Sequence, residues 1–313
     1  VTKAISSLGG SMGQIDLIEQ TRDISMRDIT VDAASAEHAE TIVQAVKDLP
    51  EIKVMNVYDR TFNLHRSGKI TVESKIPLRG QADLAMAYTP GVGRICNAIA
   101  EEPDRVYELT IKQNMVAVVT DGSAVLGLGN LGAEASMPVM EGKAVLFKEF
   151  GGVDAFPICL ATQDTDEIVE TIKRIAPVFG GVNLEDIAAP RCFEIESRLQ
   201  RELDIPVFHD DQHGTAIVTL AALTNALKLV KKSIEEVRIV INGAGAAGIA
   251  IAVLLQKDGA NHIVLCDSKG ILSKSRTDLN EQKARFAVEQ SGTLVDAMKG
   301  ADVFLGVSAP GVV

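Results

Sequence analysis

Apolar and polar positions fall into three successive patterns along the chain. Up to residue 66 the runs are short and mixed in period. Residues 1–8 read as a helix, and residues 13–19 and 26–32 as strands. Ser35 caps a helix whose apolar positions Ala39, Ile42, Val43 and Val46 recur at helical spacing. Pro50 follows its end, and residues 52–58 alternate as a strand. The order helix, two strands, helix, strand predicts a small α+β unit. Residues 61–79 are polar and charged and read as a linker. From Leu84 to about Lys232 the pattern alternates. Strands are predicted over 115–121, 154–160 and 206–208, and helices over 142–150, 165–176, 192–203 and 214–229. Such alternation predicts a mostly parallel sheet covered by helices. The third pattern begins near Val237 and runs strand, glycine turn, helix, strand. Residues 303–313 read as a strand and loop of a sheet that is not finished within the chain.

The third pattern carries the most information. A β-branched run from Val237 enters a turn containing Gly243, Gly245 and Gly248. An alanine- and isoleucine-rich helix follows over 246–257, and a second apolar run ends in Asp267. In a dinucleotide site the first glycine permits the turn, the second admits a pyrophosphate and the third lets helix and strand pack closely. The helix N-terminus offers free N–H groups to phosphate across Gly243, Ala244, Gly245, Ala246, Ala247 and Gly248. Asp267 lies 19 positions after Gly248, where an acceptor for a ribose hydroxyl belongs. The other G-x-G-x-x-G, Gly127 to Gly132, has no strand ending in an acid at the proper distance, and Pro138 stands where a helix would have to continue. It reads as a loop, one that could line a substrate cleft. Glu141-Gly-Lys143 lacks the earlier glycine and the following Ser or Thr of a P-loop.

Composition narrows the function classes. The chain has 313 residues, 46% of them hydrophobic, which is room for two or three domains with sizeable cores. A net charge of -11 disfavours nucleic acid as a partner. No apolar run reads as long enough to span a bilayer, and no signal-peptide pattern opens the chain, so a membrane partner is not expected. The four cysteines form no C-x-x-C pair, which suits a reducing cytoplasm. The first residue is Val1, inside a predicted helix, and the last strand lacks its sheet. Both ends suggest a piece of a longer protein.

Acidic pairs supply the candidate chemistry. Glu185 and Asp186 end one apolar approach, and Asp210 and Asp211 end another at a strand-to-helix junction. Carboxylate pairs that converge repel unless a cation sits between them or some take up protons. All-oxygen ligands favour Mg2+ or Mn2+. Each pair also fits a plain helix cap. His209 and His213 have zinc-pair spacing, but Gly214 reads as the helix start. Lys143 lies among apolar neighbours. Burial there, with a metal nearby, would lower its pKa and suit a general base, while the bland alternative is a surface lysine with a buried stem. Tyr88 precedes a helix starting near Pro90, where its phenol either donates a proton or simply packs.

Taken in order, Tyr88-Thr-Pro-Gly-Val, Thr120-Asp-Gly-Ser, Leu126-Gly-Leu-Gly-Asn-Leu-Gly, Glu141-Gly-Lys, Asn183-Leu-Glu-Asp-Ile, His209-Asp-Asp-Gln-His-Gly-Thr and Gly243-Ala-Gly-Ala-Ala-Gly resemble the bacterial malic enzymes from about residue 75 to 313. The front of the chain, with its Gly9-Gly10 loop, resembles an ACT regulatory domain without its first strand. That unit would bind a small effector or serve only for oligomerisation. The resemblance implies an α/β protein in three parts. These are an ACT-like α+β unit (1–66), an α/β catalytic domain (67–232) and an incomplete Rossmann-type NAD(P)-binding domain (233–313). It implies oxidative decarboxylation of L-malate to pyruvate and CO2, reduction of NAD or NADP, Mg2+ or Mn2+, and a cytoplasmic homodimer or higher homo-oligomer. By family pattern Tyr88 is the general acid and Lys143 the general base tuned by Asp210. Glu185, Asp186 and Asp211 are the metal ligands. Ala124 stands where the larger eukaryotic members carry a substrate-contacting arginine, and the family's later asparagine segments lie beyond Val313. The rival readings are an amino-acid dehydrogenase of similar build, and a regulatory binding protein with an inactive catalytic half. Asp267 favours NAD over NADP, with Ser268 and Lys269 as neighbours able to offset it.

Overall fold

The computed structural model describes residues 1–309, 311 and 312, so the expectation over 303–313 is outside the described residues at 310 and 313. Two compact units emerge, Val1–Ser67 and Gly68–Val313.

The first unit contains α1 (Thr2–Ser7), β1 (Ser11–Gln20), β2 (Ser25–Asp32), α2 (Ala36–Lys47) and α3 (Arg60–His65). β1 and β2 pair antiparallel. The Ser35 side chain accepts from the His38 N–H, the capping expected of that serine. Ile5 of α1 and Ile42 of α2 are the buried hydrophobic residues of this unit. A Cβ on Gly10 would meet both side chains at 2.8 Å, so only glycine fits beneath them.

Two expectations fail in this unit. Residues 52–58 form no strand. Their alternation suits a ladder, but β1 and β2 pair only with each other, and an extended segment without a partner strand makes no ladder. The polar stretch expected to be a linker begins as helix α3, because Asp59 accepts from the N–H groups of Thr61 and Phe62.

In the second unit the chain runs through α4 (Gln81–Ala87), α5 (Val92–Glu101) and α6 (Val106–Leu109) into β3 (Met115–Thr120) and α7 (Ala133–Gly151). There follow β4 (Asp154–Cys159), α8 (Thr165–Ile175), β5 (Gly181–Leu184), α9 (Arg191–Glu202), β6 (Val207–His209) and α10 (Asp210–Val230). The last stretch is β7 (Arg238–Asn242), α11 (Ala246–Lys257), β8 (His262–Asp267), β9 (Gly270–Ile271), α12 (Glu281–Ala284), α13 (Leu294–Met298) and β10 (Val303–Gly306).

These strands build two sheets. One has the order β4-β3-β5-β6 and is parallel throughout. The other has the order β10-β7-β8-β9, parallel except for β9. Helices cover both faces of the central strands. Ala117, Val118 and Val119 in β3 and Ile239, Val240 and Ile241 in β7 are therefore all buried, which explains their unbroken apolar runs. Each sheet reverses its strand order once, between β3 and β5 and between β7 and β10. Ligands of open α/β sheets bind at such reversals, outside the carboxyl ends of the strands.

Two helices begin earlier than their sequence suggests. α7 starts at Ala133 and carries Pro138 inside it. An interior proline costs about 3 kcal/mol, but Ser136, Met140 and Ala144 bury one face and hold the helix together. α10 starts at Asp210 rather than Gly214, so its first turn contains both acids of that pair. By length and composition α10 is also apolar enough to cross a membrane, at 21 residues and mean hydropathy 1.2. That corrects the expectation that no such run exists. Its buried stripe of Ala216, Leu223 and Leu227 belongs to the core shared with Ile249, Ile251 and Leu255 of α11.

Candidate active site

The first strand reversal gathers the acidic pairs. Glu185 follows β5 directly, and its N–H donates to the carbonyl of Val119 at the end of β3 (2.9 Å). Asp186 sits in the left-handed region at φ 55°, and its N–H donates to Asp211 Oδ2 (3.1 Å). Asp210 and Asp211 open α10 at the end of β6. Glu185, Asp186 and Asp211 each offer an oxygen, and these oxygens lie within 4.8 Å of one another. Glu185 and Asp186 are buried. Asp186 Oδ2 is buried with no hydrogen-bond partner among the described residues. Three converging carboxylates with an orphaned oxygen fit a hard divalent cation.

Lys143 reaches this cluster from α7. Its Nζ donates to Asp210 Oδ2 at 2.7 Å and lies 3.2 Å from Glu185 Oε2. Here the electrostatics depart from the expectation of a lowered lysine pKa. Burial pulls it down, but the hydrogen bond to Asp210 and the charge of Glu185 outweigh burial and raise it above the ordinary value. The acids rise as well. Burial pushes Glu185 up to about 7, only partly opposed by Lys143 and by the hydrogen bond from Asn183. Burial and the charge of Asp211 push Asp186 up to about 6. With one lysine for four carboxylates, part of the cluster holds protons near neutral pH.

The two histidines do not converge on a metal. His213 Nε2 lies 2.9 Å from Glu196 Oε2. His209 is buried, its ring nitrogens have no hydrogen-bond partner among the described residues although Nε2 lies 3.7 Å from Asp211 Oδ2, and burial lowers its pKa. Tyr88 makes no hydrogen bond to the cluster among the described residues. It caps the C-terminus of α4 at 68% exposure, and its hydroxyl makes no hydrogen bond among the described residues.

A bracket that the sequence reading missed holds the loop between β5 and α9. Asp121, fully buried after β3, accepts from the N–H and Oγ of Ser123 and from Arg191 (2.9 Å). Ser123 Oγ in turn accepts from the Ala188 N–H at 2.8 Å. Asp121 and Ser123 stood in a quoted motif, but nothing in the spacing pointed to Arg191, 70 positions later.

At the second strand reversal β7 turns into α11. Gly243 has φ 121°, outside what side-chain-bearing residues readily adopt. A Cβ on Gly248 would lie 1.7 Å from the Gly243 carbonyl oxygen, so turn and helix can pack only with glycine there. A cavity of about 710 Å³ opens above the turn. Gly243, Ala244, Gly245, Asp267 and Lys283 line it, together with Ala189 and Pro190 from the loop that begins at the acidic cluster. The turn and the first helical N–H groups, from Ala246 and Ala247, fit a dinucleotide phosphate.

Asp267 is already engaged. Arg276 grips both its oxygens at 2.8 and 3.0 Å, and Lys283 donates at 2.9 Å. Lys269, one of the neighbours expected to blur cofactor choice, is turned to Asp278 instead (2.7 Å). Burial alone would raise the Asp267 pKa, yet Arg276 and Lys283 hold it well below the usual carboxylate range. The sequence reading missed both cations, which lie in a stretch with little periodicity.

Comparison with known proteins matches both stretches of the second unit to one family. Residues 67–200 match the family described as malic enzyme, N-terminal domain, and residues 212–309 that described as malic enzyme, NAD binding domain. The NAD-dependent malic enzyme of Geobacillus stearothermophilus is 54% identical over the whole chain, which spans 66% of that protein's length. NAD-dependent malic enzyme 1 of Bacillus subtilis is 41% identical over the whole chain, which spans 70% of it. The crystal structure of the NAD-dependent malic enzyme of Thermotoga maritima superposes with a TM-score of 0.79 at 48% identity, covering 82% of this chain and 70% of that one. The paired acids with their lysine, the glycine turn and these likenesses together make the chain a member of the malic enzyme family.

Proposed function

We propose that this chain is the catalytic part of an enzyme that oxidatively decarboxylates L-malate to pyruvate and CO2 and reduces NAD or NADP. The observation that carries the proposal is the convergence of Glu185, Asp186 and Asp211 beside Lys143, with a dinucleotide cradle on the same loop system. A divalent cation bound by the three acids supplies Lewis acidity toward the hydroxyl and adjacent carboxylate of the substrate.

The chain's own residues then divide the work. Lys143 takes the substrate hydroxyl proton, and Asp210 orients its ammonium. As it stands, the raised lysine pKa opposes that role, and the charge on Glu185 is one of its causes. Drawing that charge toward a cation frees the lysine. Gly243, Gly245 and the start of α11 hold the pyrophosphate, and Asp267 with its two cations faces the adenosine ribose. Tyr88 is assigned as the acid that protonates the product carbon on family resemblance alone, since its phenol stands exposed.

The remaining parts of the reading follow the resemblance. The first unit is an ACT-like module for a small effector or for self-association, in a cytoplasmic homo-oligomer. The catalytic and dinucleotide domains meet between α10 and β7, near residues 232 and 233. The test is absorbance at 340 nm with malate, each cofactor, and Mn2+ or chelator. Cation-dependent reduction coupled to pyruvate formation is expected. Reduction that persists in chelator refutes the cation reading, and failure to form pyruvate refutes the reaction.

A further inference from the structure

α9 is an amphipathic helix with a carboxylate on its buried face. Glu196 lies beside Ile195 and one turn from Cys192 and Leu199, and is 5% exposed. A carboxylate in such a stripe is costly unless donors surround it. Three donors do. Glu196 Oε1 accepts from the His209 backbone N–H at 2.9 Å. Oε2 accepts from Gln212 Nε2 at 3.2 Å and lies 2.9 Å from His213 Nε2. A carboxylate facing a ring nitrogen accepts, so His213 carries its proton there.

All three donors come from one five-residue stretch, and the two residues between them are Asp210 and Asp211. Positions 209, 212 and 213 share a face of the first helical turn, and Glu196 fixes that face. The acids at 210 and 211 are thereby left to the other side, where Asp210 meets Lys143 and Asp211 meets Asp186. α10 has no side-chain cap of its own at His209, and Glu196 on α9 is the partner of its first turn on that face.

We propose that Glu196 is a positioning residue that sets the rotation of the α10 N-terminus and so places Asp211 toward a divalent cation and Asp210 toward Lys143. The proposal rests on the cation reading given above. A simple helix cap would stabilise α10 without affecting the cation. The two roles separate when binding is measured apart from turnover.

The experiment titrates Mn2+ into the full chain without malate, following free Mn2+ by its EPR signal, and compares the unaltered protein with Glu196→Gln. Gln keeps the size but replaces one acceptor oxygen with an amide NH2, which the His209 backbone N–H cannot meet and which His213 and Gln212 meet only by changing tautomer or flipping. We expect Mn2+ affinity to fall by about 10–100-fold, the range for partners that orient metal ligands. NAD affinity should change less than about twofold, since the glycine turn is untouched, and kcat should fall more than KM for malate rises. Unchanged Mn2+ affinity in a folded Glu196→Gln overturns the proposal, as does an equal fall in Mn2+ and NAD affinity with a lowered Tm. If the unaltered protein itself binds no Mn2+, the cation reading fails and takes this proposal with it. Should Glu196→Gln not fold, His213→Ala removes one half-exposed donor and leaves the carboxylate. Mn2+ affinity weakened at least about threefold in His213→Ala supports positioning, and unchanged affinity overturns it.

Discussion

The two strand reversals solve the problem of buried acid in opposite ways. Around Glu185 four carboxylates share one lysine. Two of them are pushed up to about 7 and about 6, and one oxygen has no partner. Around Asp267 an arginine and a lysine saturate the acid and hold it ionised. The first arrangement is short of positive charge, a deficit that the proposed cation would fill. The second is complete already, so a ribose at the proposed site would have to compete with Arg276 and Lys283 for the Asp267 oxygens. A shifted acid in this molecule thus tells what is missing from its surroundings, and a depressed one tells what is present.

The largest expected effect removes Lys143, the only lysine or arginine paired with the acidic cluster among the described residues. Lys143→Ala should lower malate turnover by about 10²–10⁴-fold, the usual worth of general acid–base help, with cofactor affinity nearly unchanged. Steady-state kinetics retaining more than half of normal turnover would strike Lys143 from the mechanism. Next in size, Asp186→Asn takes a ligand away and also relieves repulsion by Asp211. Mn2+ affinity should fall by at least about tenfold, comparable with the loss of an orienting partner, while apo stability holds or rises. A calorimetric titration showing normal Mn2+ affinity would mean that the orphaned oxygen has another purpose.

The pH dependence tests the same contrast without mutation. Glu185 and Asp186 bind protons more tightly folded than unfolded, so the folded state carries more protons between the ordinary carboxylate range and about 7. Stability without a cation should therefore fall as pH rises through that window. Mn2+ affinity should rise over it, by up to about tenfold per pH unit for each displaced proton. Thermal melts that gain stability from pH 5 to 7.5 because of this cluster would contradict the assigned shifts. Smallest of all, Lys283→Ala should alter the NADP-to-NAD ratio of kcat/KM, lowering it by about tenfold or less. One cation lost beside a 2′-phosphate is worth roughly 1 kcal/mol near a solvated surface. An unchanged ratio would show that Lys283 serves only Asp267.

Much of this was legible in sequence because the signals were local. The glycine turn, the strand end at His209 and the helix over 246–257 all appear where composition and period place them, whereas β5 before Glu185 reads in the sequence only as an apolar approach. What escaped was long-range. Arg276 and Lys283 lie in a stretch without period, and their role exists only because β9 turns the chain back toward Asp267. Glu196 was invisible as a site residue because a charged position in an amphipathic helix is ordinarily on the solvated face. Residues 52–58 failed for the converse reason, since a correct local pattern still needs a neighbour. α7 and α10 began early because burial and tertiary contacts overrode a proline in one and a glycine in the other.

α10 has one more consequence. Its first turn holds Asp210 and Asp211, while Leu223 and Leu227 near its far end are wedged against the core under the glycine turn. At 21 residues it is a stiff rod about 30 Å long. Pivoted at its far end, such a rod moves its tip by about 1 Å for roughly 2° of tilt, enough to cost catalysis heavily. A trimmed side chain at Leu227, far from any chemistry, would thus be felt as a misaimed carboxylate: the helix is the lever through which core packing sets the gauge of the reaction centre.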